Sequence, residues 1–271
     1  LTGIPVAVTT GPGSSVPHGW HGEAAFPAGA CRDQAATGLP RGGDRTILVN
    51  MTAPVLPLHP TTQTPRARLT AEIKRLAAEH GLTVSAVTTA DAFLGLAGYL
   101  EQHIAAGRMA GLDWFTPERA RFLSNPRNLQ ASARSILAVG VAYWSVDPGR
   151  PDDGVPRGRI SRYAWGVDYH KLVKRRLKAL HSAIEELVGH EVEARHLVDT
   201  ARIPERAVAA RAGLGWLGKH ACLIVPGAGS GVLLGELMLD LDLEPDPPLN
   251  HNCGRCTICL DERRDTSTLC V

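Results

Sequence analysis

The chain has 271 residues, with 29 Lys and Arg against 27 Asp and Glu, so its formal net charge is only +2 and charge singles out no partner. Hydrophobic residues make up 44% and aromatics 5%, an ordinary soluble composition at a length that buries a core without disulfides. No apolar run approaches the roughly 18 residues of a membrane-spanning helix, and the first residues show no basic patch followed by an apolar block, so a cytoplasmic protein with no membrane partner is expected.

Residues 1–64 lack helical or strand period. The stretch from Gly11 to Gly43 mixes Gly, Pro, Ser and Ala, and Pro54, Pro57, Pro60 and Pro65 follow. This part is expected to be a disordered extension. Met51 would make a natural start, which would leave residues 1–50 without a role.

Regular patterning begins at Thr64, a suitable N-cap, with Pro65 at the first helical position. Leu69, Ile73, Leu76 and Ala77 then share one face until Gly81 stops the helix. A short strand follows through Val84 and Val87. Asp91 is expected to cap a second helix carrying Leu96, Leu100 and Ile104 and ending at Gly107, and Thr116-Pro117 opens a third. The run from Ser135 to Tyr143 is nearly all apolar, which predicts a central strand covered on both faces.

After a Pro/Gly/Asp-rich loop over 147–158, the spacing predicts a long helix from about Asp168 to Leu187. Its buried stripe is Val173, Leu177, Leu180, Ile184 and Leu187. Lys171, Lys174, Arg175 and Lys178 take the opposite face, either as a solvated surface or as a phosphate-contacting one. A strand over Val192 to Val198, a short helix after Pro204, and strands near Leu223 and over Val232 to Leu239 complete an α/β fold of the α+β kind with a mixed sheet.

Gly213-Leu214-Gly215-Trp216-Leu217-Gly218 matches the dinucleotide-binding pattern, but that site needs a strand before the glycines and a helix after them. Here the order is inverted. With Lys219 the same residues also spell a P-loop, yet His220 stands where Ser or Thr should hold magnesium. Gly213 remains a good helix C-cap. Gly215 and Gly218 would let the backbone pass close to a flat ligand or fold tightly around Trp216.

Of six cysteines, Cys31 and Cys222 stand alone and Cys270 is next to last. Cys253, Cys256 and Cys259 form C-x-x-C-x-x-C, the spacing that wraps three thiolates around one iron-sulfur cubane. A ferredoxin run would continue with a fourth Cys and Pro; here Leu260-Asp261-Glu262-Arg263 follows. Three readings stay open: a [4Fe-4S] site lacking a fourth ligand or taking it from elsewhere, a zinc knuckle using His251, and free thiols.

Three segments resemble the epoxyqueuosine reductase family: Ile160 to His170, Val198 to Arg206, and Ala212 to His220, followed in order by the cysteine run. The resemblance covers about Arg66 to Leu260. It implies a cobalamin-dependent oxidoreductase with two [4Fe-4S] clusters, related to reductive dehalogenases. Its activity would be the last step of queuosine biosynthesis, removal of the epoxide oxygen from epoxyqueuosine at the tRNA wobble position. The implied organisation is a cobalamin-binding catalytic domain over 65–245, then the start of a ferredoxin-like [4Fe-4S] module over 246–271. The implied partners are tRNA carrying epoxyqueuosine and a one-electron donor such as ferredoxin or flavodoxin, acting on a monomer.

Within that resemblance Asp199 matches the proton donor. A carboxyl at a buried strand end beneath a corrin would have its pKa raised by desolvation, whereas its alternative role is to cap the helix after Pro204. Arg162, Tyr163, Trp165, Asp168, Tyr169 and His170 offer stacking surfaces and donors for cobalamin or a nucleotide. Gly213, Gly215, Trp216, Gly218 and Lys219 match a second corrin-side loop. Cys253, Cys256 and Cys259 match ligands of one cluster. The family's further cysteines have no counterpart after Leu260, so the chain reads as truncated within its iron-sulfur module, and whether it is active by itself stays open. The rival expectation is a small iron-sulfur or zinc protein of electron transfer or assembly, without a substrate of its own.

Overall fold

A computed structural model describes residues 64–144, 149, 158 and 160–261, which lie in one compact unit. The expected N-terminal extension, most of the 147–158 loop, Cys31 and Cys270 fall outside them. Six α-helices and six strands follow in the order α1 (Pro65–Glu79), β1 (Val84–Thr89), α2 (Leu96–Ala105), α3 (Pro117–Leu123), β2 (Ser135–Ala142), α4 (Tyr169–Val188), β3 (Ala194–Leu197), α5 (Glu205–Arg211), β4 (Trp216–Leu217), β5 (Leu223–Ile224), β6 (Val232–Leu239) and α6 (Ile258–Asp261). Among the described residues no helix is long and apolar enough to cross a membrane.

Four strands form one sheet in the order β1-β2-β6-β3, and every pairing is antiparallel. The helix-and-sheet class agrees with the sequence, while the expected mixed sheet does not. β2 and β3 both pair antiparallel with β6, so they run in the same direction, as a β-α-β crossover through α4 predicts. β6 inserts between them and removes the parallel ladder.

β2 is interior and buried along almost its whole length. Its side chains alternate between two cores, as the period of 2 requires. Leu137, Val139 and Val141 join Leu237 and Leu239 of β6 under α1 and α4, against Ile73, Val173, Leu177, Leu180 and Ile184. Ile136 and Ala138 join Met238 on the other face, against Val208, Ala209 and Ala212 at α5 and against Leu214 and Leu223.

Local capping explains most boundaries. Thr64 Oγ1 accepts the Ala67 N–H and Thr116 Oγ1 the Arg119 N–H, each with Pro following at the first helical position. α4 starts after Asp168, whose Oδ1 accepts the His170 N–H, and ends at Gly189 in the left-handed region (φ +75°). Two expectations fail. Asp91 does not cap α2; Gly95 occupies that position at φ +77°, and Asp91 instead pairs with Arg127 at 3.0 Å. Leu187 is 41% exposed, because the buried stripe of α4 ends at Ile184.

Beyond β6 the chain is pinned back across the sheet. Leu243 N donates to Ser135 Oγ, and Asp246 Oδ2 accepts both the Val87 N–H at 2.7 Å and Lys74 Nζ at 3.0 Å. This clamp carries the chain past the 213–219 loop to the cysteines.

Candidate active site

β3 ends at Leu197, and two residues later the backbone turns sharply. Asp199 takes φ +52°, and the Thr200 N–H reaches back to the Val198 carbonyl at 2.6 Å. A left-handed non-glycine residue is uncommon, although Asp tolerates it better than most. The turn carries the Asp199 carboxyl to the start of α4. There Asp199 Oδ2 accepts the Tyr169 hydroxyl at 2.9 Å and lies 3.0 Å from His170 Nε2. The other ring nitrogen, His170 Nδ1, is 2.9 Å from Asp168 Oδ1. One carboxylate of this pair caps α4 and orients the imidazole, which bridges to the second.

The electrostatics follow from these contacts. Hydrogen bonds to Asp199 and then to Asp168 raise the His170 pKa, so the imidazolium is favoured between the two carboxylates. The bond to His170 lowers Asp168. Burial, then the bond to Asp199, pushes the Tyr169 phenol up to about 12, so it remains a donor at neutral pH. The desolvation expected around Asp199 is not supplied by the described residues. Its side chain is 55% exposed, because the turn lifts it off the strand end and towards solvent.

An aromatic strip lies beside this network. Tyr169 stacks on His170 with centroids 4.0 Å apart and meets Tyr163 edge-on at 6.0 Å; Tyr163 in turn meets Tyr143 at 6.4 Å. The Arg162 guanidinium sits over Trp144 at 4.1 Å and over Trp165 at 5.4 Å. Trp144, Tyr163 and Trp165 are each about half exposed (51%, 49% and 43%). Of the expected binding residues, Tyr163 and Trp165 therefore present open surface, while Arg162 is half-buried against Trp144 and Trp165. Tyr169 and His170 bond to Asp199 and Asp168 bonds to His170, a joint role that sequence reasoning missed. The 4.0 Å Tyr169–His170 stack starts the helix, so its proximity to Asp199 is a tertiary fact.

The glycine loop packs tightly against its own chain. A Cβ on Gly213 would meet Pro247 O at 2.2 Å, one on Gly215 would meet Ile224 O at 2.4 Å, and one on Gly218 would meet the His220 ring at 2.4 Å. The missing side chains make room for the chain itself, as the tight fold around Trp216 requires. β4 and β5, a two-stranded hairpin, close that fold. Lys219 Nζ does not point to open space; it donates to Gly254 O at 2.8 Å and Cys256 O at 2.9 Å and ties the hairpin to the cysteine loop. Trp216 packs against His251 at 5.6 Å, and its indole N–H is buried without an acceptor among the described residues.

Cys253, Cys256 and Cys259 surround a turn held by Cys256 N donating to Cys253 O at 2.9 Å, with Gly254 at φ +44°. Among the described residues no three His, Cys, Asp or Glu gather closely enough for a single metal ion. A cubane is larger than one ion and its thiolates stand further apart. Three sulfurs on a short loop are a donor set of the kind that holds an iron-sulfur cluster, and His251 lies beside them against Trp216.

A family model described as epoxyqueuosine reductase QueG, DUF1730, matches residues 124–200. An epoxyqueuosine reductase of Synechocystis sp. is 42% identical over 163 residues, which cover 60% of this chain and 54% of that protein. The structure of the Streptococcus thermophilus epoxyqueuosine reductase superposes with a TM-score of 0.64 at 35% identity, covering 70% of this chain and 51% of that one. A crystal structure of an epoxyqueuosine reductase with an epoxyqueuosine-modified tRNA-Tyr stem loop gives 0.61 at 32% identity, covering 72% and 51%. The chain spans about half the length of these relatives.

Proposed function

We propose that this chain, a relative of the epoxyqueuosine reductases, carries the acid site for reducing epoxyqueuosine to queuosine in tRNA. The observation that carries the reading is the convergence of Tyr169 and His170 on Asp199, with Asp168 holding the far side of the imidazole, beside an open aromatic strip. Residues 65–245 would form the cobalamin-binding catalytic domain, and 246–271 the start of the iron-sulfur module. The similarity to an enzyme crystallised with a modified tRNA stem loop supports tRNA as the partner.

Converting an epoxide to an alkene releases one oxygen as water and takes up two electrons and two protons. When bound, cobalamin and the clusters would supply low-potential electrons and a metal able to engage carbon. The chain's own residues supply the rest. Arg162, Tyr163, Trp165 and the neighbouring Trp144 offer faces on which a corrin or a base can stack. Asp199 passes a proton to the departing oxygen as it takes one from His170, whose Nε2 lies against Asp199 Oδ2. Asp168 fixes the imidazole, and Tyr169 orients the Asp199 carboxyl. Cys253, Cys256 and Cys259 would hold an iron-sulfur cluster, and Lys219 would hold their loop.

The test is Asp199→Asn, which keeps shape but cannot act as an acid. Queuosine formation is expected to fall about 10²-fold or more, the scale of a lost general acid, with cobalamin binding retained. Full activity in that variant would end the assignment.

A further inference from the structure

Beneath the Asp199 turn lies a second pair of carboxyls that the proposed chemistry leaves unused. Glu236 sits in β6 opposite Leu197 of β3 and Ala138 of β2, on the sheet face that α5 covers. It is 0% exposed, and neither carboxyl oxygen has a hydrogen-bond partner among the described residues. Glu205, the first residue of α5, lies close enough for its charge to bear on Glu236, and its Oε1 accepts the Asp199 N–H.

We propose that Glu205, seated over buried Glu236, is the positioning residue that holds the Asp199 turn so that its carboxyl meets Tyr169 and His170. The inference rests on Asp199 being the acid of this site. The turn needs such a hold. A left-handed Asp closed by a two-residue hydrogen bond is strained, and such strain persists only where surrounding structure determines it. Glu205 supplies the one side-chain acceptor recorded for the Asp199 N–H among the described residues.

The two carboxyls also make the hold sensitive to protonation. Burial pushes Glu205 up to about 7 and Glu236 well above the carboxylate range, with Glu205 adding to the latter. Against that burial the Asp199 N–H bond lowers Glu205 while the Asp199 charge raises it, Arg206 and His170 lower it, and Glu236 from β6 and the Tyr169 phenol of α4 also face it. The facing residues of β2, Ile136 and Ala138, carry no charge. As pH rises through 7 Glu205 gains charge, and its hydrogen bond from Asp199 becomes charge-assisted and stronger.

The readout is independent of cofactor and of turnover: the His170 titration by NMR, with amide exchange at Asp199, in the chain and in the Glu205→Gln and Glu205→Ala variants. Gln keeps an acceptor. Wild type and Glu205→Gln should titrate above the ordinary imidazole value of about 6.5. Glu205→Ala should let His170 fall toward that value and speed Asp199 exchange about 10-fold, the worth of one hydrogen bond. Amides of Leu177 and Leu237 serve as an internal reference. Unchanged His170 and Asp199 in the Ala variant, an equal loss in the Gln variant, or a rise in core exchange matching that at Asp199 would each overturn the proposal. Because none of these signals needs catalysis, an inactive Asp199→Asn enzyme and a failed latch are told apart.

Discussion

Replacing Glu236 by leucine should stabilise the fold, most strongly at alkaline pH. The side chain is wholly buried with both oxygens unpartnered, and leaving a buried polar group unsatisfied costs about 1–3 kcal/mol. Leucine has similar volume and faces Ile203, Val208 and Met238 in the same core. A gain of about 1–3 kcal/mol corresponds to a rise of roughly 2–4 °C in Tm per kcal/mol at this size. The sign with pH follows from proton uptake. Both carboxyls are raised in the fold from a starting value of 4.5, so the folded state keeps protons that the unfolded chain has lost, and stability falls as pH rises. Glu205 alone, moving from 4.5 to about 7, accounts for about 3 kcal/mol of that fall. Glu236 extends it to higher pH. Urea unfolding of wild type and Glu236→Leu at acid, neutral and alkaline pH measures both, and the exposed His170 pair cancels in the difference. A variant less stable than wild type at alkaline pH, or a wild type whose stability does not fall with pH, would refute the reasoning.

Three further outcomes follow from the same contacts. Leu177→Ala removes a fully buried side chain between α4 and the sheet and should cost about 2–5 kcal/mol in urea unfolding, with m unchanged. Lys219→Ala releases the Gly254 and Cys256 carbonyls and should weaken iron retention after reconstitution, read as lost visible absorbance per chain, while thermal stability of the sheet is unaffected. Tyr169→Phe keeps the ring against His170 but removes the donor to Asp199; it should lower turnover more than it changes substrate KM, a split measurable by steady-state kinetics.

Local chemistry made much of this fold legible. Thr64-Pro65 and Thr116-Pro117 mark helix starts because capping needs only neighbouring atoms, and α4 begins where Asp168 suggested. The apolar run at β2 gave a central strand because burial on both faces leaves that mark on composition. Long-range facts were not legible. Nothing local tells Asp91 that Arg127 will claim its carboxyl, or β2 and β3 that β6 will separate them. The glycine spacing suggested close backbone approach, and Pro247 and Ile224 are the groups that approach Gly213 and Gly215. Glu236 left a signal that was passed over: it is the one charged residue in the eight-residue strand Val232–Leu239. An acid within such a run marks either an error in the strand assignment or a buried functional carboxyl.

The account stands most directly on whether the Asp199 face takes a corrin. Titrating the reconstituted chain with cob(II)alamin and following its visible and electron paramagnetic resonance spectra is the decisive measurement. A saturable change to the base-off form, retained in Asp199→Asn and lost when Tyr163 and Trp165 are replaced by alanine, is the predicted result. No spectral change, from protein carrying stoichiometric zinc, would contradict it.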